Sequence, residues 1–147
     1  MHDKMNTTME LAVARPYAFK FRPEATALII IDMQRDFLDP NGFGAIQCGN
    51  DEIFRSVRNI VPRTKQVLDA ARDLGMHVFH TREGHKPDLS DLPPAKRLRQ
   101  TSAPSGHHTI GIGDPGPMGR LLVRGEYGHD IIDELRPIPG EVVIDKP

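Results

Sequence analysis

The chain has 147 residues, 19 Lys and Arg against 20 Asp and Glu, 27% charged residues and no Trp, a composition ordinary for one globular domain. That balance gives no electrostatic case for nucleic acid or an anionic membrane, both of which need a basic face, and no apolar run approaches the roughly 20 residues that span a bilayer. The opening Met-His-Asp-Lys-Met-Asn lacks the apolar core of a signal peptide, and the single cysteine, Cys48, excludes an internal disulfide framework and fits a reducing compartment; a cytoplasmic location is expected.

Residues 1–25 are polar with scattered apolar positions, and Arg15-Pro16-Tyr17 and Arg22-Pro23 suggest an extended arm. Leu28 to Ile31 reads as a strand apolar on both faces, the mark of a parallel strand. Asp39-Pro40-Asn41-Gly42 is a dense turn signal, and Gly44 to Asn50 reads as loop. Ile60, Thr64, Val67, Leu68, Ala71 and Leu74 recur at helical spacing, with Gly75 as the stop. Pro62 fits the first turn of that helix or kinks a longer one beginning near Asp51. Met76 to Thr81 follows as a second strand, which makes a βαβ unit. From Gly84 to Gly119 the chain is rich in Pro and Gly with little periodicity, and such a stretch inside a compact domain is functional or disordered as a rule. Order returns at Arg120 to Val123, then at a short helix candidate over His129 to Leu135 and a third strand from Glu141 to Asp145.

Chemistry-bearing residues gather where strands end, as they do in open parallel sheets. Asp32 ends the first strand; it could cap the following turn or serve a reaction, and spacing alone leaves both open. Asp36 reads as structural, paired with Arg35 or a loop amide. Lys146 ends the third strand and becomes a charge partner for Asp32 if both reach one sheet edge. Cys48 sits in a loop with no helix N-terminus to stabilise a thiolate, so it reads as a small loop residue rather than a nucleophile. His80, Glu83 and His85 leave the second strand together. In extended chain only Glu83 and His85 share a face, and two ligands do not close a zinc site, so no metal is expected there. His107-His108 lies in the irregular loop and says less. The basic cluster Lys96-Arg97-Leu98-Arg99 reads as a solvated face.

At these residues the chain resembles the isochorismatase-like cysteine hydrolase superfamily, most closely the subgroup similar to biuret hydrolase and ureidoacrylate-type amidohydrolases. The segments that carry the likeness are Ala27-Leu-Ile-Ile-Ile-Asp32-Met-Gln-Arg-Asp36-Phe37, His80-Thr-Arg-Glu-Gly-His85 with Pro87-Asp88-Leu89 and Asp91-Leu92-Pro93, Gly113-Asp-Pro-Gly-Pro117 with Gly119-Arg120, and Val143-Ile-Asp-Lys146-Pro147. The resemblance spans about Pro23 to Pro147. It implies a three-layer α/β/α fold around a parallel Rossmann-like sheet, of which only the first strands are present. Residues 1–25 would be an N-terminal arm and 26–147 the N-terminal part of the hydrolase domain.

The resemblance also implies a mechanism. A cysteine thiol loses its proton to Asp32, Lys146 stabilises the charged pair, and the thiolate attacks the carbonyl of a small biuret- or ureide-like amide. Water then cleaves the thioester. Phe37 aligns with an aromatic residue lining the substrate pocket. No cofactor, metal, nucleic acid or membrane partner is implied. The complete protein would be a homo-oligomer, dimer or tetramer. The family nucleophile follows a fourth strand in a pattern like Thr-Gly-x-x-Thr-x-x-Cys-Val, which nothing here matches, so the expectation is an inactive fragment. Two other readings stand beside it: a non-catalytic remnant pairing through an exposed sheet edge, and a magnesium-dependent phosphoryl-transfer domain, which the absence of a glycine-rich phosphate loop disfavours.

Overall fold

The computed structural model describes residues 8–101 and 110–147. The region expected to be an extended arm contains a small antiparallel hairpin, β1 (Met9–Leu11) against β2 (Phe19–Phe21), with Met9 opposite Phe21. Phe19 and Phe21 share one face because side chains alternate along a strand, and their rings stack 6.1 Å apart.

The three strands expected from the apolar runs form one parallel sheet: β3 (Ala27–Ile31), β4 (His77–Glu83) and β7 (Val142–Lys146), in the order β3-β4-β7. Four helices connect the first two: α1 (Arg35–Leu38), α2 (Phe43–Cys48), α3 (Asp51–Arg58) and α4 (Ile60–Asp73). This is the α/β class that the sequence implies. Asn50 caps α3, its side-chain oxygen accepting from the N–H groups of Glu52 and Ile53 at 3.0 Å each, which satisfies two of the donors a helix start leaves open. Asn59 separates α3 from α4, so Pro62 falls in the first turn of the second helix. Gly75, at φ +67°, ends α4. Its N–H donates to Arg72 and that of Met76 to Ala71, a pairing that needs the left-handed residue glycine supplies.

Four local expectations are corrected. Residues 44–50 are largely helical, since α2 is anchored by buried Phe43 and stopped by left-handed Gly49. The irregular stretch after Gly84 contains α5 (Pro94–Thr101) and a two-residue hairpin, β5 (Pro115–Gly116) with β6 (Gly119–Arg120); His107-His108 lies outside the described residues. Residues 129–135 form only a 3-10 turn over Asp133–Leu135, because their backbone pairs elsewhere. Ile131 bridges to Gln34, Ile132 donates to the carbonyl of Met33, and Arg35 donates to that of Asp130. Finally, of the apolar stripe read on α4, Leu68 and Ala71 are buried and are joined by Val61, whereas Ile60, Val67 and Leu74 face outward.

Two apolar clusters result. Ile30 and Val78 of the sheet pack with Val61, Leu68 and Ala71 of α4 and with Ile131, Ile132 and Leu135. Phe43, Leu92, Ile112, Leu121 and Leu122 form the second, and Phe37 packs against both. Among the described residues the helices cover one face of the sheet. The other stays open, with Ile29 56% and Ile31 62% exposed and Val142 and Ile144 about half exposed. No helix among the described residues is long and apolar enough to cross a membrane.

A polar staple closes the covered side. Glu141, just before β7, takes both oxygens to Arg72 of α4, at 2.7 and 2.9 Å, and lies 2.9 Å from His80 Nε2 of β4. Burial opposes its charge, but the Arg72 guanidinium, the N–H of Ile138 and His80 together outweigh it and hold the carboxyl down at about 2. A carboxyl depressed on folding adds stability above its unfolded value near 4.5 and loses it as pH falls toward the folded value. Glu141→Gln is therefore expected to cost about 2–3 kcal/mol at pH 7 in urea unfolding. The gap to the parent should more than halve by about pH 3. A gap that stays constant with pH would show that the staple acts through packing alone.

Candidate active site

The site is built where β3, β4 and β7 run out. Ile31, Thr81 and Ile144 lie abreast, and two residues on Glu83 stands opposite Lys146. Because alternate residues share a face, Thr81, Glu83 and Lys146 project to one side, at the rim of the open apolar face. Asp32 follows directly on β3 and has φ +53°, a left-handed conformation that Asp tolerates better than most side chains. Its N–H still donates to the carbonyl of Thr81 at 3.1 Å, and its own carbonyl accepts from Gln34 at 2.8 Å. The chain thus leaves the sheet at Asp32 while the residue remains tied to β4.

The structure brings the two expected residues together. Lys146 Nζ lies 2.7 Å from Asp32 Oδ2, and the Thr81 hydroxyl donates to Asp32 Oδ1 at 2.7 Å. Each carboxylate oxygen therefore has its own donor, one of them charged. Glu83 Oε2 lies 3.8 Å from the same ammonium. Asp32 is mostly covered and Lys146 is partly open to solvent, so the pair is reachable from outside. β7 is held in register by Arg82 of β4, whose guanidinium forks onto Asp145 at 2.7 and 3.1 Å and also bonds Asp130 at 2.9 Å. That fork lies on the opposite side of the sheet from Lys146 and fixes the strand end that carries it.

Gln34 supplies the rigidity behind the pair. Its side chain is fully buried. Its amide nitrogen donates to the carbonyls of Glu83, at 2.8 Å, and His129, at 2.7 Å, while its oxygen accepts from the N–H of Glu83 at 2.6 Å. One side chain thereby clamps both backbone groups of Glu83. His129, packed behind the strand end, is pushed below its ordinary pKa by burial and by the neighbouring Arg82.

The remaining candidates fall into place around this centre. Asp36 is buried and accepts from the N–H of Leu122 at 2.9 Å, a loop amide; burial raises its pKa against the pull of that bond and of Phe43 N–H. Phe37 is half-buried between the two apolar clusters. Cys48 ends α2 with its sulfur 3.5 Å from the carbonyl of Asn50. His80 belongs to the Glu141 staple, and His85 Nδ1 lies 3.2 Å from Asp91. No group of three or more His, Cys, Asp or Glu among the described residues is arranged to hold a metal ion.

Four residues were missed as site components by the sequence reading. Thr81 follows the histidine of a motif read for metal binding, Glu83 was weighed only as a ligand, and Gln34 was passed over between the two aspartates. Lys96, assigned to a solvated face, is mostly covered and bonds Glu83 Oε1 at 2.6 Å. Strand alternation carried forward from Thr81 to Glu83 was the one available signal.

An open parallel α/β sheet with a carboxylate–ammonium pair across its strand ends narrows the comparison considerably. The family model described as the isochorismatase domain matches residues 26–147, and the chain belongs to that family. It is 33% identical over 134 residues to the ureidoacrylate amidohydrolase RutB of Pantoea ananatis, covering 91% of this chain and 52% of the relative. With RutB of Cronobacter sakazakii it shares 30% identity over 136 residues, 91% of this chain and 56% of the relative. The fold also matches a cysteine hydrolase from Pseudomonas syringae pv. phaseolicola (TM-score 0.60, 24% identity, 86% of this chain and 48% of that one). An isochorismatase family protein from Desulfovibrio vulgaris is similar too (TM-score 0.55, 31% identity, 82% and 51%). The chain spans about half the length of the curated relatives it matches.

Replacing Gln34 with Leu keeps the volume and strands the N–H and carbonyl of Glu83 and the carbonyl of His129. A loss of about 2–4 kcal/mol is expected in denaturant unfolding, since each buried group left unpaired costs about 1–3 kcal/mol and some will find water. A loss below about 0.5 kcal/mol would mean that the clamp is dispensable.

Proposed function

We propose that Asp32 and Lys146 are the acid–base pair of a cysteine-dependent amidohydrolase that cleaves a C–N bond of a small ureide- or biuret-like amide. The observation that carries this reading is the 2.7 Å contact between Lys146 Nζ and Asp32 Oδ2, two residues 114 positions apart brought to one strand edge. Membership of the isochorismatase family and the likeness to two ureidoacrylate amidohydrolases support the choice of amide over other bonds.

The proposed chemistry follows from the donors and acceptors present. Asp32 has an anionic carboxylate with one oxygen against Thr81 and the other against Lys146, so it can take a proton from a thiol brought within reach. Lys146 stays cationic beside the thiolate that forms and offsets its charge. The thiolate attacks the amide carbonyl, the C–N bond breaks as the amine leaves with a proton, and water then cleaves the thioester to regenerate the thiol. Cys48 is not the thiol of this scheme, being at the far end of α2 in contact with Asn50; the nucleophile is supplied from outside these 147 residues. Phe37 is the aromatic wall of the substrate pocket, and no metal or cofactor takes part.

A second reading is favoured by a specific observation: among the described residues, the face bearing Ile29, Ile31, Val142 and Ile144 is open and β3 lies at an edge of the sheet. An apolar face and a sheet edge of this kind suit association with another polypeptide without catalysis.

The two readings separate in one experiment. The 147-residue chain and its Cys48→Ser variant are assayed for ammonia release from ureidoacrylate and biuret, alongside a chimera joining the chain to the carboxyl-terminal half of the Pantoea relative. The chain alone should be inactive and the chimera active. Asp32→Asn or Lys146→Met in the chimera should lower kcat/KM by about 100- to 10,000-fold. Turnover by the Cys48→Ser chain would reject the cysteine-dependent mechanism, and a folded but inactive chimera, or one indifferent to Asp32→Asn, would reject the amidohydrolase assignment.

A further inference from the structure

We propose that Glu83 is a positioning residue for Lys146, dividing its carboxylate between two lysines so that Lys96 governs how firmly Lys146 is held beside Asp32. The proposal rests on Asp32–Lys146 being the functional pair and concerns what sets the strength of that pair.

The division is geometric. Glu83 Oε1 takes Lys96 Nζ at 2.6 Å, and Oε2 faces Lys146 Nζ at 3.8 Å. Neither oxygen serves both cations. The backbone of Glu83 cannot drift to favour one of them, because Gln34 clamps its N–H and its carbonyl. A carboxylate on a fixed stem with a cation on either side is a joint, and loosening one side strengthens the hold on the other.

Lys96 is itself anchored. Its ammonium lies 3.0 Å from His85 Nε2. An ammonium can only donate, so Nε2 accepts and the ring proton sits on Nδ1, which points to Asp91 Oδ1 at 3.2 Å. His85 is fully buried, and Asp91 is further fixed by Lys86 N–H at 2.9 Å and Arg124 at 3.4 Å. The result is one polar chain from Asp91 through His85 to Lys96, Glu83, Lys146 and Asp32. The charged groups facing Lys146 are Asp32 beyond β3 and Glu83 of β4, while Asp145 turns to the other side with Arg82. Lys96 belongs to α5, so the segment after β4 reports to the site through one ammonium.

A merely structural network, tying α5 to the sheet, predicts that breaking it on either side loosens the same contact. A shared carboxylate predicts opposite effects. Removing the Glu83 charge leaves Lys146 with one anion fewer and its amine more loosely held. Removing the Lys96 charge frees both oxygens of Glu83 for Lys146 and holds that amine more firmly.

Competitive acetylation of the folded chain by limiting reagent reads how freely the Lys146 amine reacts. Modification of Lys146 is quantified by mass spectrometry against exposed Lys20 in the same molecule. Glu83→Gln should raise Lys146 acetylation about threefold or more, and Lys96→Met should lower it about twofold or more. Changes in the same direction, or no change in either variant, overturn the proposal. Amide NMR spectra establish that each variant is folded. Should Glu83→Gln not fold, Lys96→Met decides alone, a fall supporting the shared carboxylate and a rise or constancy overturning it. The readout needs no turnover. Failed amide hydrolysis by the chimera leaves the labelling ratios untouched, and an active chimera with unresponsive labelling removes only the role of Glu83.

Discussion

The register of three parallel strands is the constraint from which the rest follows. Ile31, Thr81 and Ile144 lie abreast, which places Asp32 one step beyond the first strand and Lys146 two steps beyond the same line on the third. A one-residue slip of β7 would turn Lys146 to the helix-covered side and bring Asp145 to the rim. The Arg82 fork on Asp145 works against that slip from the covered side, where the same displacement would part the carboxylate from the guanidinium. The ion pair at the site and the ion pair behind it are thus two readouts of a single register.

Around that register, buried polar side chains do what additional strands would do in a larger sheet. Gln34 replaces a neighbouring strand for Glu83 by satisfying both of its backbone groups. Asp36 satisfies the N–H of Leu122, and Glu141 joins α4, β4 and the start of β7. A buried group left without a partner costs more than a formed bond contributes, so each of these side chains specifies one arrangement of loops. Glycine adds to that specificity at several close approaches, and Gly128 is the one that meets the Asp36 carboxylate. A Cβ at Gly128 would sit 2.4 Å from Asp36 Oδ1, and it is Gly128 whose carbonyl receives the N–H of Asp36.

The legible part of this chain is the part governed by periodicity. The apolar runs at 28–31 and 141–145 and the stop at Gly75 are local signals, and they yield the sheet and its main helix directly. Asp32 and Lys146 are legible as strand-end charges that pair if both reach one sheet edge, and only their expected catalytic roles come from the family resemblance. What escaped was set by tertiary contacts. Residues 129–135 have helical spacing, yet their backbone bonds go to Met33, Gln34 and Arg35. The stripe on α4 was misplaced because Val61, rather than Ile60, faces the sheet. Lys96 looked like one of a cluster of solvated cations, and only the fold of α5 against β4 reveals that it spans Glu83 and His85.

The strand signal at Leu28–Ile31 also carries an argument about the site. Its residues are apolar on both faces, but Ile30 is buried while Ile29 and Ile31 lie more than half exposed. Thr81, Glu83 and Lys146 project from that same open side, immediately beyond the apolar residues. Whatever covers Ile31 and Ile144 therefore also walls the Asp32–Lys146 pair. Covering the face removes apolar surface from water at about 25 cal/mol per Å², and it lowers the local dielectric in which carboxylate and ammonium interact. Apolar burial and the strengthening of the ion pair are then one event. The burial of Ile29 and Ile31 and the electrostatics of this site are therefore governed by one and the same face of the sheet.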